Sequence, residues 1–142
     1  MKYVLDSSVA VKWVLPEVNS DKATQLRDDF RNHVHELISP DVFPAEIAHA
    51  LTKAERQKRL ARAKARSLWR SIMLDCPALH SSVPLAERAM EIATQFHIAV
   101  YDCLYIGLAE QEGCEFVTAD DKIVRNLQPY FPLMVALASL PP

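Results

Sequence analysis

Short apolar runs recur along the chain, at Tyr3-Val4-Leu5, Leu37-Ile38, Phe116-Val117 and Leu133 to Leu137, and Leu79 to Val83, more polar, is a further strand candidate. Runs without polar alternation suit strands buried on both faces, as in a parallel sheet. The stretches between them carry helical spacing. Ser7 or Ser8 can cap a short helix reaching Val14, which Pro16 ends. Asn19 or Ser20 opens a highly charged surface helix over Asp21 to Asn32. Pro44 suits the first position of a helix running to about Arg59, with Ile47, Ala50, Leu51 and Ala54 as its apolar stripe. A second helix follows from about Ala61 to Met73. Another begins at Pro84 and passes Leu85, Ala89, Ile92, Ala93 and Phe96. Asp102 opens a helix that is apolar on all sides from Cys103 to Ala109, hence buried, and Gly113 ends it. Asp120 caps a last short helix through Ile123, Val124 and Leu127. Strands alternating with helices, and no hairpin signal, place the chain in the α/β class, a parallel sheet with helices on both faces. Residues 1–142 read as one domain.

Composition narrows this picture. A chain of 142 residues, half of them apolar and a quarter charged, can bury a real core. No apolar run approaches the roughly 20 residues of a membrane span. Strand character by residue 3 leaves no room for a signal peptide, so the expectation is a cytoplasmic protein away from membranes. Cys76, Cys103 and Cys114 show no C-x-x-C spacing, which argues against disulfides and zinc and for small buried side chains. Gly107 and Gly113 are the only glycines, too few for a phosphate-cradling loop or a dinucleotide turn. Any phosphate chemistry must therefore use side chains and metal. The net charge of −2 hides a sharp division: Lys53 to Arg70 carries +7 and the remainder −9.

Acids mark the strand-to-helix junctions. Asp6 ends the first strand, Glu46 falls third in the helix led by Pro44, and Asp102 and Asp120 open later helices. Each alone has a structural explanation as a helix-start acid. In a parallel sheet, however, strand ends and following helix starts share one edge, where ligands bind in open α/β folds. Carboxylates gathered there repel and raise one another's pKa values, and a bound cation removes the conflict. All-oxygen ligation suits Mg²⁺, with Mn²⁺ able to substitute, rather than zinc. The five histidines lie apart from these positions, His49 being the nearest at three residues after Glu46.

These segments carry a family resemblance. Val4-Leu5-Asp6-Ser7-Ser8-Val9 resembles the opening motif of PIN-domain ribonucleases. Pro40 to Leu51, with Glu46 inside a proline-led helix, resembles the second motif. Tyr101 to Ala109 resembles the third and Phe116-Val117-Thr118-Ala119-Asp120 the fourth. The order is right and nearly the whole chain is spanned. Length and style are similar to VapC-type toxins of bacterial and archaeal type II toxin–antitoxin pairs. The resemblance implies a three-layer α/β/α fold with a five-stranded parallel sheet and Mg²⁺-dependent RNA endonuclease activity. It makes Asp6, Glu46, Asp102 and Asp120 the catalytic and metal-site acids, and Ser8 and Thr118 supporting hydroxyls. Asp121 competes with Asp120 for the fourth place, and the position two residues after the threonine favours Asp120. A small antitoxin and a homodimer are the implied protein partners.

The basic stretch admits two readings. Its long side chains can simply cover apolar surface by their stems. Alternatively Arg56, Arg59, Arg62 and Arg66 form a track for RNA phosphates beside an acidic cleft. Trp69 is expected to pack between helices rather than stack on a base. An aspartyl-nucleophile phosphatase would need a second acid where Ser8 stands. A receiver-like domain would need paired acids before its central strand and a late lysine. A catalytically weak PIN-like module that only binds RNA or protein is the remaining alternative.

Overall fold

The central strand is the first one. In the structure, a computed structural model describing residues 1–141, β1 (Lys2–Leu5) lies between β2 (Glu36–Pro40) and β4 (Glu115–Thr118). The edges are β3 (Ala78–His80) and β5 (Met134–Ala136), giving the order β3-β2-β1-β4-β5 with every pairing parallel. Val4, aligned with both Ile38 and Phe116, is fully buried, as its place in an unbroken apolar run requires.

Alternate residues feed two cores. Tyr3, Leu5, Leu37 and Val117 face a cluster supplied by α1 (Ser7–Val11), α2 (Ser20–Arg31), α3 (Phe43–Arg56) and α4 (Lys64–Met73). Val4, Ile38, Phe116 and Met134 face the other layer, made by α5 (Ala86–Phe96), α6 (Val100–Glu112) and α7 (Asp121–Leu127). The three-layer α/β/α arrangement is thus the one the alternating elements predict. From β1 the chain builds outward to β3, then crosses back to place β4 on the other side of β1. That reversal opens a crevice at the carboxyl ends of β1 and β4.

Several boundaries differ from the sequence expectations. Helix α1 stops at Val11, not Val14, and Trp13 Nε1 donates to Ala23 O (2.9 Å), tying the following turn to α2. Helix α3 stops at Arg56 because Lys58 takes a left-handed φ of 60°, and Ala63, at 65°, delays α4 until Lys64. Strand β3 ends at His80, since a 3₁₀ turn over Val83–Leu85 already uses Pro84. Gly113 does end α6, at φ 61°, with Cys114 N–H closing onto Ala109 O (3.1 Å). Trp69 packs between α3 and α4 and donates from Nε1 to Pro44 O (2.9 Å). The three cysteines are free, and no helix among the described residues is long and apolar enough to cross a membrane.

Candidate active site

The crevice is an open cleft of about 760 Å³, and Asp6, Glu46, Asp102 and Asp120 all line it. Their elements differ. Asp6 follows β1 and is the N-cap residue of α1, Glu46 lies in the first turn of α3, Asp102 in the first turn of α6, and Asp120 caps α7. Folding therefore gathers carboxylates from both helical layers at one sheet edge.

Asp6 is the most enclosed, with 6% of its surface exposed. Its Oδ2 accepts from Ser8 Oγ (2.6 Å) and Thr118 Oγ1 (2.7 Å). Ser8 Oγ also accepts from Ala119 N–H (3.0 Å), and Thr118 Oγ1 from Asp120 N–H (3.1 Å). The two hydroxyls thus lock the ends of β1 and β4 together. Ser7 and Ser8 lie inside α1 and do not cap it, because their hydroxyls serve the acids instead. Burial raises the Asp6 pKa and the charge of Asp120 adds to this, while the Ser8 and Thr118 bonds draw it back.

Glu46 Oε1 accepts from Tyr105 OH (2.6 Å), with Ser7 Oγ at 3.5 Å. Burial, aided by the charges of Asp6 and Asp102, lifts Glu46 to about 7 despite the Tyr105 bond. Asp102 is lifted to about 6 by burial and then by Asp6 and Asp120. It does not open its helix: α6 starts at Val100, which places Asp102 third. Asp120 does cap α7, its Oδ1 accepting from Lys122 and Ile123 N–H (3.1 and 3.2 Å). Asp121, the competing acid, is the exposed first residue of α7 and does not line the cleft, whereas Asp120 does.

The residues matching the PIN domain family model run from 3 to 126. The chain belongs to the PIN-domain family. Ribonuclease VapC3 of Pyrobaculum aerophilum is 29% identical over 137 residues, covering 95% of this chain and 98% of that protein. VapC ribonuclease Mb0985 of Mycobacterium bovis is 32% identical over 135 residues, covering 93% and 96%. Among solved structures, PAE2754 from Pyrobaculum aerophilum aligns with a TM-score of 0.68 at 20% identity, covering 98% of this chain and 94% of that one. VapBC2 from Rickettsia felis, bound to a DNA fragment from their promoter, aligns at 0.63 with 15% identity, covering 96% and 97%. At those identities the two structures bear on fold.

In this PIN domain the donor set is all oxygen, four carboxylates beside the hydroxyls of Ser7, Ser8 and Thr118. Among the described residues, however, no three His, Cys, Asp or Glu side chains are grouped so that they could hold a metal ion as they stand. The oxygen chemistry of the donors, not their present spacing, is what matches a hard cation that keeps several of its waters. Two cleft features escape the sequence reading. Tyr105 is fully buried in an apolar helix, and a buried phenol needs a partner, which was the available signal. The basic track is displaced: of the Lys53 to Arg70 cations only Lys53 lines the cleft, with His49 near it. Arg66 borders a separate apolar groove with Trp69 and Arg70, and Arg59 reaches Glu17 (4.0 Å). Arg56, the last residue of α3, and Arg62, in the loop that follows, are exposed and outside the cleft lining.

Proposed function

We propose that this PIN domain is an endoribonuclease that hydrolyses RNA phosphodiester bonds using Mg²⁺, or Mn²⁺ in its place, held among Asp6, Glu46, Asp102 and Asp120. The observation that carries the reading is electrostatic. Four acids from four elements meet at the switch point, and Asp6, Glu46 and Asp102 are all raised above their ordinary pKa. A site that burdens itself this way is built for a cation or for proton transfer. The VapC ribonuclease names of relatives aligned along nearly their whole lengths support the same activity.

When bound, the cation supplies charge neutralisation at the phosphate and a lowered pKa for an attacking water. The chain's own groups do the rest. Ser8 and Thr118 hold the Asp6 carboxylate at one oxygen. Tyr105 occupies Oε1 of Glu46, leaving Oε2 as the atom that takes a proton from water. In the metal-free cleft Glu46 is held at about 7, and a cation among the acids would lower this and favour the carboxylate that accepts the proton.

We extend the proposal to the toxin role, with a small antitoxin as partner and the cytoplasm as its setting, on the names VapC and VapBC2. A homodimer belongs to the same proposal.

The test is RNA cleavage by wild type and Asp102→Asn, each with Mg²⁺ and with EDTA. Loss of cutting in the variant and under chelation is expected; undiminished cutting in either arm overturns the metal mechanism. The open spacing of the acids favours one second reading, a catalytically weak module that binds RNA or protein. Mn²⁺ titration distinguishes it, since that module would take up no cation and cut nothing.

A further inference from the structure

The cleft has two unlike walls. One comes from α3, in the helical layer against Tyr3 and Leu5; the other from the start of α6, in the layer against Val4. On the α3 wall, Lys53 stands seven residues beyond Glu46, about 10 Å along the helix axis at 1.5 Å per residue. Among the described residues it is the one Lys or Arg lining a cleft that holds four carboxylates. On the α6 wall, Tyr101 immediately precedes Asp102 and leaves 58% of its surface in solvent. An aromatic ring standing free beside catalytic acids is a stacking platform for an unpaired base. A cation on the opposite wall answers the repulsion between this acidic cleft and a polyanion.

We propose that Tyr101 and Lys53 form a clamp for single-stranded RNA, with a base next to the scissile phosphate stacked on Tyr101 and a neighbouring phosphate paired with Lys53 across the acids. The clamp rests on the ribonuclease reading and deepens it: it names the two side chains that hold the strand on either side of the acids. Bases inside a duplex are already stacked on their neighbours and have no free face for Tyr101.

The test uses a fluorescein-labelled single-stranded mixed-sequence RNA and the same sequence as a duplex. Binding is read by anisotropy in EDTA across a salt series, so the readout is independent of cutting. Tyr101→Ala should weaken single-strand binding at least roughly fivefold, the lower end for one stacked base, and leave the salt slope and duplex binding unchanged. Tyr101→Phe should bind as wild type. Lys53→Ala should flatten the salt slope by about 0.7, the single-strand increment per phosphate contact, and Lys53→Arg should restore it. Wild-type affinity and slope in both alanine variants, alongside Mg²⁺-dependent cutting that Asp102→Asn abolishes, would overturn the clamp and leave the nuclease standing. Equal weakening on duplex and single strand would also overturn it. A wild-type protein that neither binds nor cuts RNA would remove both readings together.

Discussion

Replacing Glu46 by Gln should stabilise the metal-free protein at alkaline pH and leave it unchanged in acid. Glu46 is held at about 7 against an ordinary 4.5, chiefly by burial. A fold that binds a proton more tightly than the unfolded chain gains stability at low pH. That gain is complete below 4.5 and is lost as pH rises through about 7. At roughly 1.4 kcal/mol per pH unit, ionising Glu46 costs the fold roughly 3 kcal/mol. Its carboxylate is only partly buried, and solvent screening reduces this to about 1–2 kcal/mol. Glutamine copies the neutral acid and keeps a carbonyl for Tyr105 OH. The variant should therefore melt about 2–6 °C higher than wild type at about pH 8.5 for a chain of this size, and coincide with it at about pH 4.5. Asp102, lifted to about 6, is present in both proteins, so both curves fall with pH and the difference isolates Glu46. Thermal and urea unfolding in EDTA across this range measure it. A variant no more stable than wild type at the alkaline end, or equally stabilised at both ends, refutes the claim that burial penalises this carboxylate.

Other substitutions probe the surroundings. Tyr105→Phe removes the donor that lowers the Glu46 pKa, so the pH at which stability declines should move upward, with about 1 kcal/mol lost in urea titration. Thr118→Val keeps the volume but deprives Asp6 of one donor and Asp120 N–H of its acceptor, for a loss of about 1–3 kcal/mol by the same measurement. Leu51→Ala empties a fully buried position and should cost about 2–5 kcal/mol, seen as a lower urea midpoint with unchanged slope. Arg62→Glu with Arg66→Glu, outside the cleft lining, should leave cutting of a short single-stranded RNA within about twofold at physiological salt; a larger fall returns these residues to the RNA path.

Sheet and acids were legible in the sequence for the same reason. Val4 and Leu5 announce a doubly buried strand, and the abrupt change to Asp6 marks where that strand ends. Once the sheet is parallel, Glu46, Asp102 and Asp120 share its edge by topology, without any knowledge of side-chain contacts. What stayed hidden depended on local backbone choices. Positive φ at Lys58 and Ala63, neither a glycine nor an asparagine, trimmed the facing ends of the expected helix pair and set Arg59 and Arg62 in the loop between them. The choice between Asp120 and Asp121 turned on which residue caps α7. The Tyr105–Glu46 bond joins residues 59 apart in sequence and belongs to helices in different layers, which no periodicity encodes.

The hydroxyl of Thr118 and the carboxylate of Asp6 meet across a sequence separation of 112 residues. Strand β1 is made first, yet one of its two flanks waits for β4. During synthesis the N-terminal strand can pair with β2 on one side while its other edge stays open. A nascent chain that has not yet delivered β4 holds only part of the acid ring, so completion of the cleft coincides with closure of the sheet. A chain that ends before β4 has neither the Thr118 hydroxyl nor Asp120, so the carboxylate of Asp6 lacks one of its two hydroxyl donors until the last part of the sheet is in place.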